Sequence, residues 1–131
     1  MSLFKKDPRD EVKSIKKRTL KMILESAKSS YPNEFGALMR ASEGEIGELV
    51  LLPGTISGGS SAIFHLDMLP IDFTIVGSIH SHPSGSYMPS KADLEFFRRS
   101  GRIHIIVRYP YTMNDWAVYN INGDRIKLEV I

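Results

Sequence analysis

The segment TIVGSIHSHPSGSYMPSKAD, residues 74–93, joins a mostly β-branched and apolar run to two histidines and the start of a helix. Residues 74–79 lack strict alternation of apolar and polar positions, which is typical of a central strand covered on both faces. Residues 91–100 then predict a short helix that ends at Gly101. We therefore expect the segment to cross the middle of a sheet and to continue into a helix packed on it.

The rest of the chain predicts further strands on both sides of this segment. A three- and four-residue spacing of apolar positions predicts a helix at residues 10–29. The predicted strands are residues 34–41, 45–52, 62–66, 103–109, 116–121 and 125–130, with turns at Ser42-Glu43-Gly44 and Asn122-Gly123. The mixture of a central sheet and two helices predicts an α/β domain with helices layered on the sheet.

Length and composition indicate one globular domain. The chain has 131 residues, of which 42% are hydrophobic, so we expect a single domain over residues 1–131. No apolar run approaches the roughly 18 residues that cross a bilayer, so we expect no membrane association and a cytoplasmic location. The absence of cysteine excludes disulfides and every zinc site with thiolate ligands.

Basic residues are concentrated at the start of the chain. Residues 1–21 hold eight basic and three acidic side chains, although the net charge of the whole chain is only +2. We expect residues 1–9 to be a flexible basic leader and the following basic residues to form a solvated helix face. Attraction to nucleic acid or to an acidic partner is the alternative reading.

Residues 80–93 contain the side chains that suit metal chemistry. His80 and His82 are two residues apart at the end of a predicted strand, so both imidazoles point to one side of the sheet. Asp93 lies in the first turn of the next helix and can return its carboxylate to the strand end. Two histidines and one carboxylate, with a fourth position open to water, are typical of a catalytic zinc site. The sequence from Ser90 to Asp93 also fits a helix capping box, and capping alone would explain both of these residues.

A metal-dependent hydrolase also needs a carboxylate that is not a ligand and that can move a proton. Glu34 is a candidate, because it opens an apolar strand where an acidic side chain has little structural purpose. His65 and His104 lie in other predicted strands without an evident partner, and we interpret both as structural.

Taken together, these residues resemble the motif of the JAMM, or MPN-plus, metalloproteases. That motif is a distant Glu, then His-Ser/Thr-His-Pro, six further residues, a Ser and, three positions on, an Asp. Glu34, the histidine core from His80 to Pro83, Ser90 and Asp93 match every element. The resemblance covers nearly the whole chain and implies a cytidine-deaminase-like three-layer α/β/α domain with a mixed central sheet. The short spacing between Asp93 and the strand at residues 103–109 is similar to minimal, stand-alone prokaryotic and archaeal members.

The resemblance also implies roles for individual residues. It implies one Zn²⁺ per chain held by His80, His82 and Asp93, with Glu34 as general base and acid and Ser90 as a hydrogen-bond donor to the oxyanion. The implied reaction is hydrolysis of the isopeptide or peptide bond after the C-terminal Gly-Gly of a ubiquitin-like or sulfur-carrier-like protein. We expect the flexible Ser57-Gly58-Gly59 segment to form one side of the groove for that tail.

Two other functions stay open at this stage. The run from His82 to Gly85 also resembles the His-Pro-Ser-Gly segment of bacterial RadC proteins, which favours a metal-dependent hydrolase with a nucleic-acid-linked substrate. A metal-bound, non-catalytic interaction module is the third reading. We do not expect nucleic acid as a partner, and the sequence leaves open whether residues 111–113 and Trp116 line a homodimer interface or pack within the chain.

Overall fold

A computed structural model describes residues 12–51 and 74–131 of the chain. These residues form two helices and eight strands that belong to one sheet. In chain order the elements are β1 (Ser14–Ile15), α1 (Lys17–Ser30), β2 (Gly36–Ser42), β3 (Glu45–Val50), β4 (Ile75–His82), α2 (Lys91–Phe97), β5 (Ile103–Arg108), β6 (Trp116–Tyr119), β7 (Arg125–Ile126) and β8 (Glu129–Val130).

The sheet is mixed and strongly curled. Its strand order is β7-β6-β5-β4-β2-β3-β1-β8. The β4–β5, β1–β3 and β1–β8 pairs are parallel, and the other pairs are antiparallel. Strands β7 and β8 lie at opposite edges, yet only residues 127 and 128 separate them. Because an extended chain covers at most about 3.6 Å per residue, the two edges lie close together.

The helices cover opposite faces of the sheet. Successive residues of a strand point to opposite faces, and β5 shows this clearly. Ile105 packs into the cluster that contains Ile23 of α1, whereas Ile106 packs against Phe97 of α2. The helix–sheet–helix arrangement confirms the predicted α/β class. Neither α1 nor α2, the helices of the described residues, has the length and hydropathy of a membrane-spanning segment.

Strand β4 occupies the centre of the sheet, between β2 and β5, as its apolar run predicts. Gly77 lets β4 approach β5 very closely, because a Cβ at this position would lie 1.5 Å from the carbonyl oxygen of Ile103. The parallel β4–β5 pair sets Ser78 beside His104 and His80 beside Ile106. This pairing fixes what surrounds the histidines at the end of β4.

The predicted start of the first helix is wrong. Residues 14 and 15 form β1, and α1 begins only at Lys17. The backbone N–H of Lys16 donates to the carbonyl of Ile46 at 3.0 Å, and that of Lys17 donates to the carbonyl of Ile131 at 2.6 Å. Ile15 is completely buried. A strand and a helix that enter the same core both bury apolar side chains, so the spacing around Ile15 does not distinguish them.

The prediction of a single strand at residues 125–130 is also wrong. It divides into β7, which pairs with β6, and β8, which pairs with β1. Leu128, between them, is buried. The other predicted strands agree with the structure to within a few residues, and α2 ends at Phe97 rather than at residue 100. The predicted strand at 62–66 and the Ser57-Gly58-Gly59 loop lie outside the described residues.

Candidate functional site

The end of β4 carries both motif histidines on the face that α2 covers. His80 contacts α2 through the ring of Phe96, with ring centroids 5.0 Å apart in an edge-to-face arrangement. His82 ends the strand and is half-buried. Ser81, between them, points to the opposite face, where its hydroxyl accepts a hydrogen bond from the Phe35 amide at 2.6 Å. The period of two therefore brings His80 and His82 to one side, as predicted.

Asp93 joins the histidines from the first turn of α2. Its Oδ2 atom lies 3.0 Å from Nε2 of His82, and its Oδ1 atom lies 3.8 Å from Nδ1 of His80. The same Oδ2 atom accepts a hydrogen bond from the Ser90 amide at 2.8 Å, while the Ser90 hydroxyl accepts one from the Asp93 amide at 3.0 Å. The capping box is thus formed, and it holds the Asp93 carboxylate against the strand end.

The loop after β4 orients His82. Nδ1 of His82 donates to the carbonyl oxygen of Ser86 at 2.9 Å. This bond leaves Nε2 facing Asp93. A histidine that binds a metal usually donates its other ring nitrogen to a backbone carbonyl or a carboxylate, as His82 does through Nδ1, so Nε2 is its candidate ligand atom.

Glu34 lies beside the histidines because β2 and β4 are antiparallel neighbours. The backbone N–H of Ser81 donates to the carbonyl of Phe35 at 2.9 Å, so the residue before Phe35 stands opposite His82 in the ladder. Glu34 is half-buried there. The negative charge of Glu34 is one of the effects that raise the pKa of His82. The pairing of β2 with β4 therefore brings Glu34 to the side of His82, one of the three candidate ligands.

The site holds one neutral imidazole and one firmly ionised carboxylate. Burial lowers the pKa of His80 to about 4. Burial is the largest single effect on His82 and lowers its pKa, but the hydrogen bond to Asp93, the negative charges of Asp93 and Glu34 and the bond to Ser86 together raise the pKa of His82. For Asp93, burial alone would raise the pKa, but hydrogen bonds from His82 and Ser90 lower it to about 2. Asp93 is therefore a carboxylate at neutral pH.

The donor set suits a divalent metal of the zinc type. Ligand atoms on a tetrahedral zinc ion lie roughly 3.3 Å apart, given metal–ligand distances of about 2.0 Å, and Asp93 lies 3.0 and 3.8 Å from the two imidazoles. In their present positions, no three His, Asp or Glu side chains of the described residues form a group that could hold an ion. The direct His82–Asp93 hydrogen bond must therefore open when an ion binds.

Sequence reasoning missed the buried polar pair behind His80. Ser78 Oγ lies 3.1 Å from Nε2 of His80 and 2.7 Å from Nδ1 of His104. His104 thus has a partner that the sequence did not reveal. The signal that was available is the period of two, which puts Ser78 on the same face as His80. The parallel β4–β5 pairing that brings in His104 has no local signature.

Aromatic residues form the edge of the site next to β2 and β5. The Tyr109 amide donates to the carbonyl of His82 at 3.1 Å, and the Tyr109 ring stacks on Tyr31 with centroids 4.8 Å apart. Tyr31 and Tyr109 are exposed, whereas Tyr111 is buried. Trp116 and Met113 pack against the chain's own core.

Comparison with known proteins identifies the class of this domain. A family described as prokaryotic homologs of the JAB domain matches residues 16–119. The chain belongs to this family, and the predicted resemblance to minimal prokaryotic JAMM/MPN-plus proteins is confirmed.

Relatives and solved structures agree with this assignment. A protein of Haloferax volcanii described as a probable metalloprotease is 38% identical, over 92% of this chain and 81% of its own length. A structure described as "JAMM: A Metalloprotease-like Zinc Site in the Proteasome and Signalosome" is 40% identical, with a TM-score of 0.74 over 92% of this chain and 98% of that chain. A JAB1/MPN domain protein from Archaeoglobus fulgidus is 43% identical, with a TM-score of 0.74 over 90% of this chain and 98% of that chain.

Proposed function

We propose that this protein is a zinc metalloprotease that hydrolyses the amide bond after the C-terminal Gly-Gly of a ubiquitin-like or sulfur-carrier-like protein. The observation that carries the proposal is the convergence of His80, His82 and Asp93, with Glu34 just before β2, the strand that pairs with β4. Membership of the JAB-domain family and the relatives described as metalloproteases support the same chemistry.

His80, His82 and Asp93 are the residues that would hold one zinc ion per chain. When bound, zinc supplies Lewis acidity, which polarises a carbonyl group and lowers the pKa of a water molecule to about 7. The contribution of the chain is to keep His80 neutral and Asp93 ionised, so that both are ready to bind a cation.

Glu34 moves the proton in this proposal. Its carboxylate takes a proton from the attacking water and passes it to the leaving nitrogen, so that one amide and one water become a carboxylic acid and an amine. A residue in this role must reach the site without being bound as a ligand. The half-buried position of Glu34 on the β2 side of His82 supports this role.

In this proposal Ser90 stabilises the negative charge that develops on the carbonyl oxygen. Its hydroxyl oxygen accepts the hydrogen bond from the Asp93 amide, so the hydroxyl hydrogen is not used by the cap. A donor aimed at the oxyanion contributes about 3 kcal/mol to the stability of the transition state. The capping role and the catalytic role of Ser90 are therefore compatible.

The specificity for a Gly-Gly tail rests on the family resemblance. Glycines have no side chains, so a tail that ends in Gly-Gly can enter a narrow groove and approach a buried site closely. Ser57, Gly58 and Gly59 stay our candidates for one wall of this groove.

The test is cleavage of a ubiquitin-like protein joined through Gly-Gly to a lysine side chain. We expect the zinc-loaded wild type to cut the bond, and we expect a chelator or the Glu34→Gln substitution to abolish cutting. Glu25→Gln is the matched control, because Glu25 is exposed on α1 and should leave the rate unchanged. A zinc-loaded wild type that cuts no amide, or a Glu34→Gln variant that keeps the rate, would contradict the proposal.

A second substrate separates the reaction from its specificity. The same conjugate with Ala-Ala in place of Gly-Gly should be cut at least tenfold more slowly. Equal rates on the two conjugates would show that the protein is a metalloprotease without the proposed preference.

A further inference from the structure

A chain of hydrogen bonds runs from Gly101, between α2 and β5, to His80 of β4. Nε2 of His104 lies 2.9 Å from the carbonyl oxygen of Gly101, and Nδ1 of His104 lies 2.7 Å from Oγ of Ser78. Ser78 Oγ in turn lies 3.1 Å from Nε2 of His80. Ser78 and His104 have no exposed surface, and His80 is only 8% exposed.

The donor and acceptor in each hydrogen bond can be worked out from the carbonyl group of Gly101. The Gly101 carbonyl can only accept, so Nε2 of His104 carries a proton. A buried imidazole with no carboxylate in contact is neutral, so Nδ1 of His104 carries a lone pair and accepts from the Ser78 hydroxyl. That bond uses the single hydrogen of Ser78. The Ser78 oxygen must then accept from His80, whose proton is therefore on Nε2.

We propose that Ser78 and His104 are positioning residues that fix the tautomer of His80 and present its Nδ1 atom as the metal ligand. Nδ1 of His80 is the nitrogen that faces Oδ1 of Asp93, at 3.8 Å. The inference rests on the proposed metal site at His80, His82 and Asp93. It adds which nitrogen of His80 binds and which residues decide this.

The surroundings of His104 hold this chain of hydrogen bonds in one arrangement. The ring of Phe97 stacks on His104 with centroids 4.2 Å apart and an interplanar angle of 10°. On the other side, the parallel β4–β5 register pairs Ser78 with His104 directly. Packing fixes the His104 ring and burial excludes water, which favours a single arrangement of the bonds.

The two ligand histidines are oriented by different means. His82 is oriented by a backbone carbonyl in the loop after β4, that of Ser86, and presents Nε2 to Asp93. His80 is oriented by a side chain in its own strand and presents Nδ1. The tautomer of His80 therefore depends on residues that can be substituted, whereas that of His82 depends on the backbone.

The direct test is the tautomer of His80 in metal-free protein at neutral pH. Two-bond ¹H–¹⁵N correlation spectra of histidine-labelled protein distinguish the proton positions. We expect the proton of His80 on Nε2 and that of His104 on Nε2. A proton on Nδ1 of His80, or rapid exchange between the two tautomers, would overturn the proposal whether or not the protein binds zinc.

Two variants test whether the chain of hydrogen bonds controls metal binding. Ser78→Ala removes the acceptor of the Nε2 proton. His104→Phe removes the acceptor of the Ser78 hydroxyl, which can then donate to Nε2 of His80 and move the ring proton to Nδ1. We expect both variants to bind cobalt, used as a spectroscopic substitute for zinc, about 10- to 100-fold more weakly than wild type. The His104→Phe spectra should also show the altered tautomer of His80.

Ser100→Ala is the matched control. Ser100 is also buried, and its hydroxyl donates to the carbonyl of Phe96 at 2.8 Å without contacting His80. Its cobalt affinity and His80 tautomer should match wild type. Wild-type affinity in Ser78→Ala would leave Ser78 a structural residue and contradict the proposal. Absence of cobalt and zinc binding in the wild type would instead reject the proposed metal site, while the tautomer spectra still test the hydrogen bonds.

Discussion

Nε2 of His82 lies 3.0 Å from Oδ2 of Asp93, although one residue ends a strand and the other lies in the first turn of a helix. The contact joins β4 to α2 across the loop that contains Ser86. Asp93 Oδ2 also caps α2 through the Ser90 amide. One carboxylate oxygen thus serves both the fold and the candidate metal site, so the two functions must be separated by experiment.

Replacing Asp93 with alanine should remove both functions. We expect Asp93→Ala to lose metal binding, because only two candidate ligands remain, and to lose helix stability as well. Ser90→Ala removes the cap bond to the Asp93 amide and keeps all three candidate ligands. We expect it to cost about 0.5–2 kcal/mol in the free energy of unfolding and to keep its metal. Metal analysis and urea unfolding measure both effects, and metal loss in Ser90→Ala would contradict this separation.

Binding of zinc should stabilise the fold. A ligand that binds only the folded state adds about 2.7 kcal/mol at 100 times its dissociation constant. We therefore expect zinc to raise the midpoint of thermal unfolding and a chelator to reverse the rise. Asp93→Ala should show no rise. Equal effects of zinc on wild type and Asp93→Ala would place the bound ion elsewhere.

Gly77 should tolerate no side chain. A Cβ there would lie 1.5 Å from the Ile103 carbonyl oxygen, which belongs to the neighbouring backbone. We expect Gly77→Ala to destabilise the protein by about 3 kcal/mol or more, since β4 and β5 must separate. At Gly47 a Cβ would meet only the flexible Lys16 side chain, at 3.4 Å. Gly47→Ala should therefore change stability by less than about 1 kcal/mol. Comparable losses of unfolding free energy in Gly77→Ala and Gly47→Ala, measured by urea unfolding, would contradict the close approach of β4 and β5 at Gly77.

The Asp115 carboxylate should contribute stability that disappears in acid. Hydrogen bonds from Thr112, followed by the bond from Arg108, lower its pKa. Because the pKa is lower in the folded protein, the contribution is complete above the unfolded value of about 3.9 and is lost as the pH falls through the folded value.

The corresponding measurement compares wild type and Asp115→Asn in urea at several pH values. We expect the difference in unfolding free energy to be largest at neutral pH and to shrink below about pH 4. Asp124→Asn, at an exposed turn position, serves as the surface control and should differ little from wild type at pH 7. A difference between wild type and Asp115→Asn that stays constant down to pH 3 would contradict the assignment.

The sequence predicts the parts of the site that depend on local geometry. The strand period places His80 and His82 on one side, and the capping pattern places Asp93 in the first turn of α2. Glu34 was a candidate from its place at a strand start, but linking it to the metal site required the family motif, because that link depends on the antiparallel pairing of β2 with β4.

The parts that sequence analysis missed depend on contacts between distant elements. The Ser78–His104 bond requires the parallel pairing of β4 with β5, which no local pattern encodes. The strand at Ser14–Ile15 exists because β3 and β8 offer it hydrogen-bond partners, and the break at Leu128 exists because the sheet curls.

The most direct test of the whole account is a crystal structure of the zinc-loaded protein, with anomalous scattering measured on both sides of the zinc absorption edge. We predict one zinc ion per chain at about 2.0–2.2 Å from His80, His82 and Asp93, with the direct His82–Asp93 hydrogen bond opened. A zinc ion bound elsewhere, or a site that stays empty in excess zinc with His82 still bonded to Asp93, would contradict it.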